Sequence, residues 1–386
     1  MVDINEIKNR PIYAYLKYLT LAQAAAFLGW TALYTNFAVD VAGLNGQENG
    51  IIQSVREVPG LLSIGVLALL LVFKESTLAS LSILICGLGV AVTGWFPSFW
   101  GQIVWTLILS FGFHYFEAIN QSLTLQYFNL TEAPLIISRL RSFTALGSLL
   151  MGLFITVFSG LDFKVLFGLA GAAAAAAGVW SCFNRPDSSG LPAQKRGLIL
   201  RKKYWLFYVL TGLSGARRQI FSVFATFLLV AYFNFSLAQM SLLLLLNNLL
   251  NWFLNPYIGL AINLVGERKL LLWKYSGVLL ICLAYVFCEN AMLAAGLYII
   301  DQISFCFTVS IRTFFQKIAD PADIAPSMAM GVTVNHIVAV TVPFVGGFLW
   351  MLDRRIPFIL GVGFALASLI MTLFIKIPSI LPKKPL

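Results

Sequence analysis

Two adjacent arginines, Arg217 and Arg218, stand in the middle of an apolar run from Tyr204 to Phe233 that holds no other formally charged residue. At about 1.5 Å per helical residue, this run can cross a hydrocarbon layer about 30 Å thick. An unpaired guanidinium near the centre of that layer costs at least about 2.5–3.5 kcal/mol. We therefore expect the pair to meet a water-filled cavity, an acidic partner or an anionic ligand. A planar guanidinium binds carboxylate, phosphate or sulfonate through two parallel hydrogen bonds.

Neighbouring residues of a helix point about 100° apart, so Arg217 and Arg218 cannot face the same point. We predict that one lines a central cavity and binds substrate, while an acid or backbone carbonyls satisfy the other. Arg218 is preferred for the cavity because Gly215 and Ser222 lie near its face at helical spacing. A purely structural ion pair is the alternative for both.

A second polar group lies in the apolar stretch FGFHYFEAINQSLTLQYF. His114, Glu117, Asn120 and Gln121 recur there at helical spacing, which predicts one wall of an aqueous cavity. Desolvation and a nearby arginine act in opposite directions on a buried carboxylate, so Glu117 is a candidate for proton coupling, as is Asp301. A static bridge between an acid and an arginine is the alternative.

Further residues are predicted to shape the pocket or to hold the scaffold. The neutral pocket candidates are Trp30, Tyr34, Asn247, Asn251 and Asn335, although such residues are often packing groups. Arg56 and Glu57 precede Pro59-Gly60 and are interpreted as a gate or packing pair. Arg312 lies near the end of its apolar run and is expected to extend outward in a structural role.

The composition requires helices in a membrane to position these residues. Mean hydropathy is +0.86, and 59% of the residues are apolar while 11% are charged. A soluble domain carries roughly 25% charge. We predict an all-α membrane protein with twelve transmembrane helices, in two pseudo-symmetric six-helix bundles. The predicted spans are 17–40, 50–73, 77–95, 99–126, 139–160, 164–183, 204–233, 238–262, 269–288, 291–317, 326–351 and 356–376.

The positive charges predict how the chain is oriented. Its net charge of +10 could indicate nucleic-acid binding in a soluble protein, but here the cations concentrate in connecting segments. This is the distribution of cytoplasmic loops, and it places both termini in the cytoplasm. The polar segment between the halves predicts an N-terminal bundle over 1–183, a basic cytoplasmic linker over 184–203 and a C-terminal bundle over 204–386.

The halves also show a weak internal repeat. A shift of 192 residues superposes Gln47 on Gln239 and Pro134 on Pro326. The same shift places the two arginines on Ala25 and Ala26. The positive centre is therefore expected to belong to the second half alone.

One loop carries a family resemblance. The stretch Gly259-Leu-Ala-Ile-Asn263-Leu-Val-Gly266-Glu267-Arg268-Lys269 resembles the loop signature of the major facilitator superfamily, in which Asp and Arg usually stand where this chain has Asn263 and Glu267. The resemblance implies two six-helix bundles that rock about a central site. It also implies gating or structural roles for Gly259, Gly266, Arg268 and Lys269.

No nucleotide-binding loop, metal-ligand spacing or nucleophile–base spacing occurs, so neither an enzyme nor a cofactor or metal is expected. We expect a secondary active transporter that moves a small anion by alternating access, coupled to protons. The alternatives are a proton-driven exporter of lipophilic or cationic compounds and a non-transporting receptor or assembly factor. Its expected partners are a small-molecule substrate, protons and membrane lipid. It is expected to act as a monomer in a bacterial cytoplasmic membrane.

Overall fold

The structure is a computed structural model that describes residues 10–128, 132–186, 201–320 and 323–376. All regular secondary structure in these ranges is helical, which confirms the all-α prediction. The α-helices are α1 (Pro11–Asn36), α2 (Gly46–Leu61), α3 (Gly65–Leu69), α4 (Glu75–Thr93), α5 (Phe99–Tyr127), α6 (Ala133–Val157), α7 (Phe163–Phe183), α8 (Trp205–Gln219), α9 (Thr226–Ala231), α10 (Leu237–Val265), α11 (Glu267–Val286), α12 (Ala291–Cys306), α13 (Val309–Ile318), α14 (Ile324–Leu352) and α15 (Ile356–Leu373).

Every predicted apolar run coincides with one of these helices or with a broken pair of them. Among the described residues, seven segments are long and apolar enough to cross a membrane: Glu75–Thr93, Arg139–Val157, Phe163–Phe183, Glu267–Val286, Ala291–Ile318, Ser327–Leu352 and Ile356–Leu373. Twelve crossings and two cytoplasmic termini stay predictions.

Three of the runs are interrupted. Pro59 lies inside α2, which passes through a 3-10 turn at Leu62–Ile64 before α3. A proline removes one helical hydrogen bond and weakens the helix around it, and regular α-helix ends two residues after Pro59. Residues 307 and 308 separate α12 from α13, and a π-helical segment, Ile220–Ala225, separates α8 from α9.

The described residues form two compact units. The first contains the described residues up to 186 together with 230–249, and the second contains 201–229 and the described residues from 250 onward. Within the first unit, Leu237 belongs to the same apolar core as Phe37, and the Asn36 amide donates a 2.8 Å hydrogen bond to the Phe235 carbonyl. The predicted boundaries at 183 and 204 stay predictions, and most of the predicted linker, 187–200, lies outside the described residues.

Glycines bring two helices of the first unit into backbone contact. A Cβ on Gly171 of α7 would lie 2.2 Å from the Ala91 nitrogen of α4, and one on Gly87 would lie 2.3 Å from the Ala175 nitrogen. Small residues permit this kind of close approach between membrane helices.

We expect Gly171→Ala to lower the melting temperature of the purified protein, because the added methyl group overlaps a backbone that cannot move aside. Gly168→Ala on the same helix is the matched control, since nothing lies within 4 Å of its Cβ position. That control should be neutral or stabilising, because alanine favours a helix over glycine by up to about 1 kcal/mol. Equal melting temperatures for both variants would contradict the close crossing.

Similar ion pairs tie the first helix of each half to a later one. In the first unit, Arg10 donates hydrogen bonds of 3.0 and 2.9 Å to Glu132, immediately before α6. In the second unit, Arg201 approaches Asp323 at 3.3 Å, immediately before α14. Both pairs repeat at a shift of 191 residues, close to the shift of the sequence repeat.

Asp323 is also held by Tyr204, whose hydroxyl donates to its carboxylate at 3.0 Å. Burial alone would raise the pKa of Asp323, but the hydrogen bonds from Tyr204 and Lys203, together with the Arg201 charge, hold that pKa below its ordinary value. Ionised Asp323 therefore stabilises the fold above its ordinary pKa, and this contribution is lost as the pH falls through the folded-state pKa.

Asp323→Asn is expected to melt at a lower temperature than wild type near neutral pH. The difference should shrink as the pH falls through the folded-state pKa, which lies below the ordinary value of an aspartate, because the wild-type carboxyl then becomes neutral as well. Melting curves across this pH range measure the effect. Asp320→Asn, which removes a more exposed partner of Lys203, should give a smaller difference. A gap that persists unchanged in acid would show that charge on Asp323 is not the cause.

Candidate functional site

Arg217 is fully buried in the second unit. It lies in the last turn of α8, immediately before the π-helical segment, and its exposed fraction is 0%. Its Nη1 donates to Oδ1 of Asp301 on α12, which is 1% exposed. The rings of Phe221 and Phe305 lie 5.7 and 5.6 Å from the guanidinium carbon. The guanidinium therefore has an acidic counter-charge and an aromatic surround.

The hydrogen bonding of this pair is incomplete. Nε and Nη2 of Arg217 are buried and have no hydrogen-bond partner in the described part of the chain. Lys274 of α11, 5% exposed, donates from Nζ to the Thr308 hydroxyl at 2.8 Å and lies within electrostatic range of both Arg217 and Asp301. Lys274 is therefore a second buried basic side chain in the surroundings of this pair, and no described carboxylate forms an ion pair with it.

Lys274 was missed by the sequence analysis. It follows Arg268 and Lys269 closely, at the edge of the run 269–288, where a cation usually marks the membrane boundary. The apolar residues around it were the available signal, but they did not show which face of α11 would be buried.

Arg218 has a different environment from its neighbour. It is half-buried, and Ser222 nearby is exposed. The space predicted beside Gly215 is taken by α14, because a Cβ at Gly215 would lie 2.5 Å from Oδ1 of Asn335, itself half-buried. Arg218 therefore keeps a partly open side, and Asn335 lies against the helix that carries it.

The other predicted residues of the second half are spread along α10 and α13. Asn247 is buried within the part of α10 that belongs to the first unit. The half-buried Asn251 accepts a hydrogen bond from the Cys306 thiol at 2.9 Å. Arg312 on α13 is exposed.

The loop between α10 and α11 carries the family-like signature, in which Glu267 stands where arginine is usual. Gly259 lies within α10, and Gly266 adopts φ +86° at the start of α11, a value that favours glycine. Glu267 is buried and pairs with Lys317 at 2.6 Å, whereas Arg268 and Lys269 are exposed. The acid that stands in place of the family's arginine thus has a basic partner on α13.

In the first unit, the polar residues of α5 differ in exposure. Glu117 and Gln121 are exposed, although Glu117 lies well inside a 29-residue helix. His114 is buried, and the Asn120 amide donates to the Thr20 hydroxyl at 3.2 Å. That these four residues line one wall of an aqueous cavity stays a prediction.

His114 lies beside the charged pair of α2. Arg56 and Glu57 form an ion pair at 2.7 Å, and a Glu57 carboxylate oxygen lies within 4.8 Å of a His114 ring nitrogen. The Ser110 hydroxyl donates to the Arg56 carbonyl. This pair thus belongs to a polar cluster on α2 and α5.

Aromatic residues of α1 complete that cluster. The Arg56 guanidinium lies 5.8 Å from the Trp30 ring, which stacks on Tyr34 at 4.4 Å. Nε1 of Trp30 and the Tyr34 hydroxyl are buried and have no hydrogen-bond partner among the described residues. Two hydrogen-bond donors are therefore left unused next to a guanidinium.

Comparison with known proteins identifies a family and a fold. A family model described as Major Facilitator Superfamily matches residues 19–343. None of the curated proteins matches the chain.

Several solved structures are similar over nearly the whole chain. The crystal structure of the nucleoside transporter NupG has a TM-score of 0.72 and 16% identity, with 94% of this chain and 98% of that chain covered. A bacterial homologue of the human lysosomal transporter Spinster, inward-facing and occupied, has a TM-score of 0.70 and 12% identity, with 94% and 95% covered. A POT family transporter in complex with 5-aminolevulinic acid has a TM-score of 0.72 and 13% identity, with 94% and 95% covered. At these identities the likeness is one of fold alone.

We expect Arg217→Gln to lower the free energy of unfolding by about 3–5 kcal/mol, because it removes the partner of a buried carboxylate. Adding Asp301→Asn should recover most of this loss, since the uncompensated charge is then gone. Thermal or denaturant unfolding of the two single variants and the double variant measures the coupling. Additive losses would show that the two side chains do not depend on each other.

Proposed function

Since the chain belongs to the major facilitator superfamily and is a multi-pass membrane transporter, not an enzyme, we propose that it is a secondary active transporter that moves a small anion by alternating access. The family is the one that the loop signature predicted. We further propose that it works as a monomer, surrounded by lipid, in a bacterial cytoplasmic membrane.

The observation that carries the proposal is the incomplete hydrogen bonding of the buried Arg217. Its Nη1 donates to Asp301, whereas its Nε and Nη2 have no partner among the described residues. A buried donor without a partner costs about 1–3 kcal/mol, and more when it is charged. An anion that meets these donors would supply the missing acceptors. A cation would supply none.

Arg218 is the residue proposed to meet the solute first. Arg217 is sealed and already holds Asp301, whereas Arg218 on the same helix is half-buried. In this arrangement Arg218 attracts the anion, and Nε and Nη2 of Arg217 then donate hydrogen bonds to it. Asn251 and Asn335 add neutral hydrogen-bonding groups in the second unit.

The first unit has its own cluster of hydrogen-bond donors and stacking surface. Trp30 and Tyr34 present an unused N–H and an unused O–H beside the Arg56 guanidinium. Such groups suit a small solute that has both a polar and a flat part. His114 lies next to Glu57 and is assigned to the same cluster.

Glu117 is the proposed carrier of the coupling proton. An ionised carboxylate exposed to lipid deep in a membrane helix is costly, so the exposed face of α5 around Glu117 and Gln121 is the face best explained by contact with water. Asp301 is the alternative carrier, but it can accept a proton only after Arg217 leaves it.

A second candidate function is proton-driven export of cationic or lipophilic compounds. The exposed Glu117 carboxylate and the stacked Trp30 and Tyr34 rings favour it, because an acid and an aromatic face each attract an organic cation. Transport of an anion requires Arg218, whereas export of a cationic or lipophilic compound does not.

Flux into proteoliposomes separates the two candidates. The probes are benzoate, inorganic phosphate and sulfate as anions and tetraphenylphosphonium as the cation, each with and without a pH gradient. We expect Arg218→Gln to weaken the apparent affinity for the transported anion about 10- to 100-fold, as expected when a charged hydrogen bond is lost. Arg355→Gln, an exposed arginine of the same unit, is the control and should transport like wild type.

Glu117→Gln completes the comparison. Under the anion proposal, it abolishes accumulation driven by a pH gradient but leaves exchange of the anion across the membrane intact. If Arg218→Gln transports like wild type while Glu117→Gln abolishes cation flux, the exporter function is correct and the anion proposal is wrong.

A further inference from the structure

Lys274 is a buried basic residue that the transport proposal does not use. It lies on α11 opposite the break between α12 and α13, and its one described hydrogen-bond partner is the neutral hydroxyl of Thr308. No described carboxylate lies within ion-pair distance of its ammonium group. A lysine this deeply buried normally has an acidic partner.

The charged and titratable groups of other elements that act on Lys274 electrostatically are Arg217 of α8 and Asp301 and Cys306 of α12. Arg217 and Asp301 are in direct contact and neutralise each other. A proton on Lys274 would therefore place a positive charge beside a pair that is already balanced. Burying an ion without a counter-charge costs several kcal/mol.

This balance changes when the ion pair between Arg217 and Asp301 breaks. The freed carboxylate then lies near Lys274 with no other counter-charge described, and a protonated Lys274 becomes the natural partner. The lone pair of Nζ accepts a proton from a hydronium ion, which becomes water, and the amine becomes an ammonium. Lysine has a flexible four-carbon stem, which allows its ammonium group to turn toward the carboxylate.

We propose that Lys274 is a second proton-binding site of this transporter, neutral while Arg217 holds Asp301 and protonated when Arg217 turns to the anion. This inference rests on the proposed function for its role in transport. Each anion that displaces Asp301 from Arg217 then brings one proton into the second unit. Release of the anion restores the pair of Arg217 and Asp301 and expels the proton.

The test compares replacements of Lys274 in wild type and in Arg217→Gln, which mimics the state in which Asp301 is free. In wild type, Lys274→Met should leave the melting temperature nearly unchanged, because an uncharged side chain of similar length replaces a neutral amine. In Arg217→Gln, the same replacement should lower it by about 5 °C or more, because it removes the last counter-charge of Asp301. Lys376→Met, an exposed lysine of the same unit, is the control and should have no effect in either background.

Lys274→Arg adds a readout that a packing role would not move. Arginine keeps its charge at any accessible pH. Lys274→Arg should therefore destabilise wild type, where no carboxylate is free, and be tolerated in Arg217→Gln, where it replaces the lost guanidinium. If Arg217→Gln does not fold, the contrast between Lys274→Met and Lys274→Arg in wild type decides the question alone.

Two results would overturn the proposal. One is a Lys274→Met effect of equal size in both backgrounds, which would mean that Lys274 does not respond to Asp301. The other is wild type that tolerates Lys274→Arg and is destabilised by Lys274→Met, which would make Lys274 a permanent cation. The melting experiments need no transported solute, so they can fail while anion flux stands, and flux can fail while they succeed.

Discussion

A guanidinium group inside a packed helical unit is tolerated only with a negative charge within reach, and this constraint organises the second unit. Asp301 supplies the charge for Arg217, and the pair fixes α8 against α12 at that depth. The aromatic rings of Phe221 and Phe305 exclude water around it, which strengthens the attraction and raises the cost of any change in partner. The same lack of water makes the position of Lys274 consequential, because a second positive charge nearby cannot be screened.

The two units solve the burial of charge differently. In the first unit, the acid and base are neighbours in sequence, Arg56 and Glu57, so the charges balance within one helix. In the second unit, the charges balance between two helices, α8 and α12. By contrast, the ion pairs Arg10–Glu132 and Arg201–Asp323 occur in both units at nearly the same repeat distance. The repeat has thus preserved the pairs that hold helix ends, while the buried centres have diverged.

Much of the fold could be predicted from the sequence because apolar runs of membrane length are a strong signal. The helices therefore appear where the runs lie. The sequence indicated that an acid could pair with a buried arginine. It did not show which acid, on which other helix, pairs with Arg217. Lys274 resembled a boundary cation for the same reason. The packing of 230–249 in the first unit depends on tertiary contacts such as Asn36 with Phe235, which leave no local pattern.

The π-helical segment Ile220–Ala225 affects the direction in which the Arg217 side chain points. A bulge of this kind corresponds to one extra residue accommodated within an otherwise regular helix, and such bulges are frequent at functional sites. In a regular α-helix, one added residue would turn everything upstream by about 100° relative to the rest of the helix. The wider winding of the π-helical segment absorbs that rotation, so Arg217 faces Asp301 in spite of the extra residue.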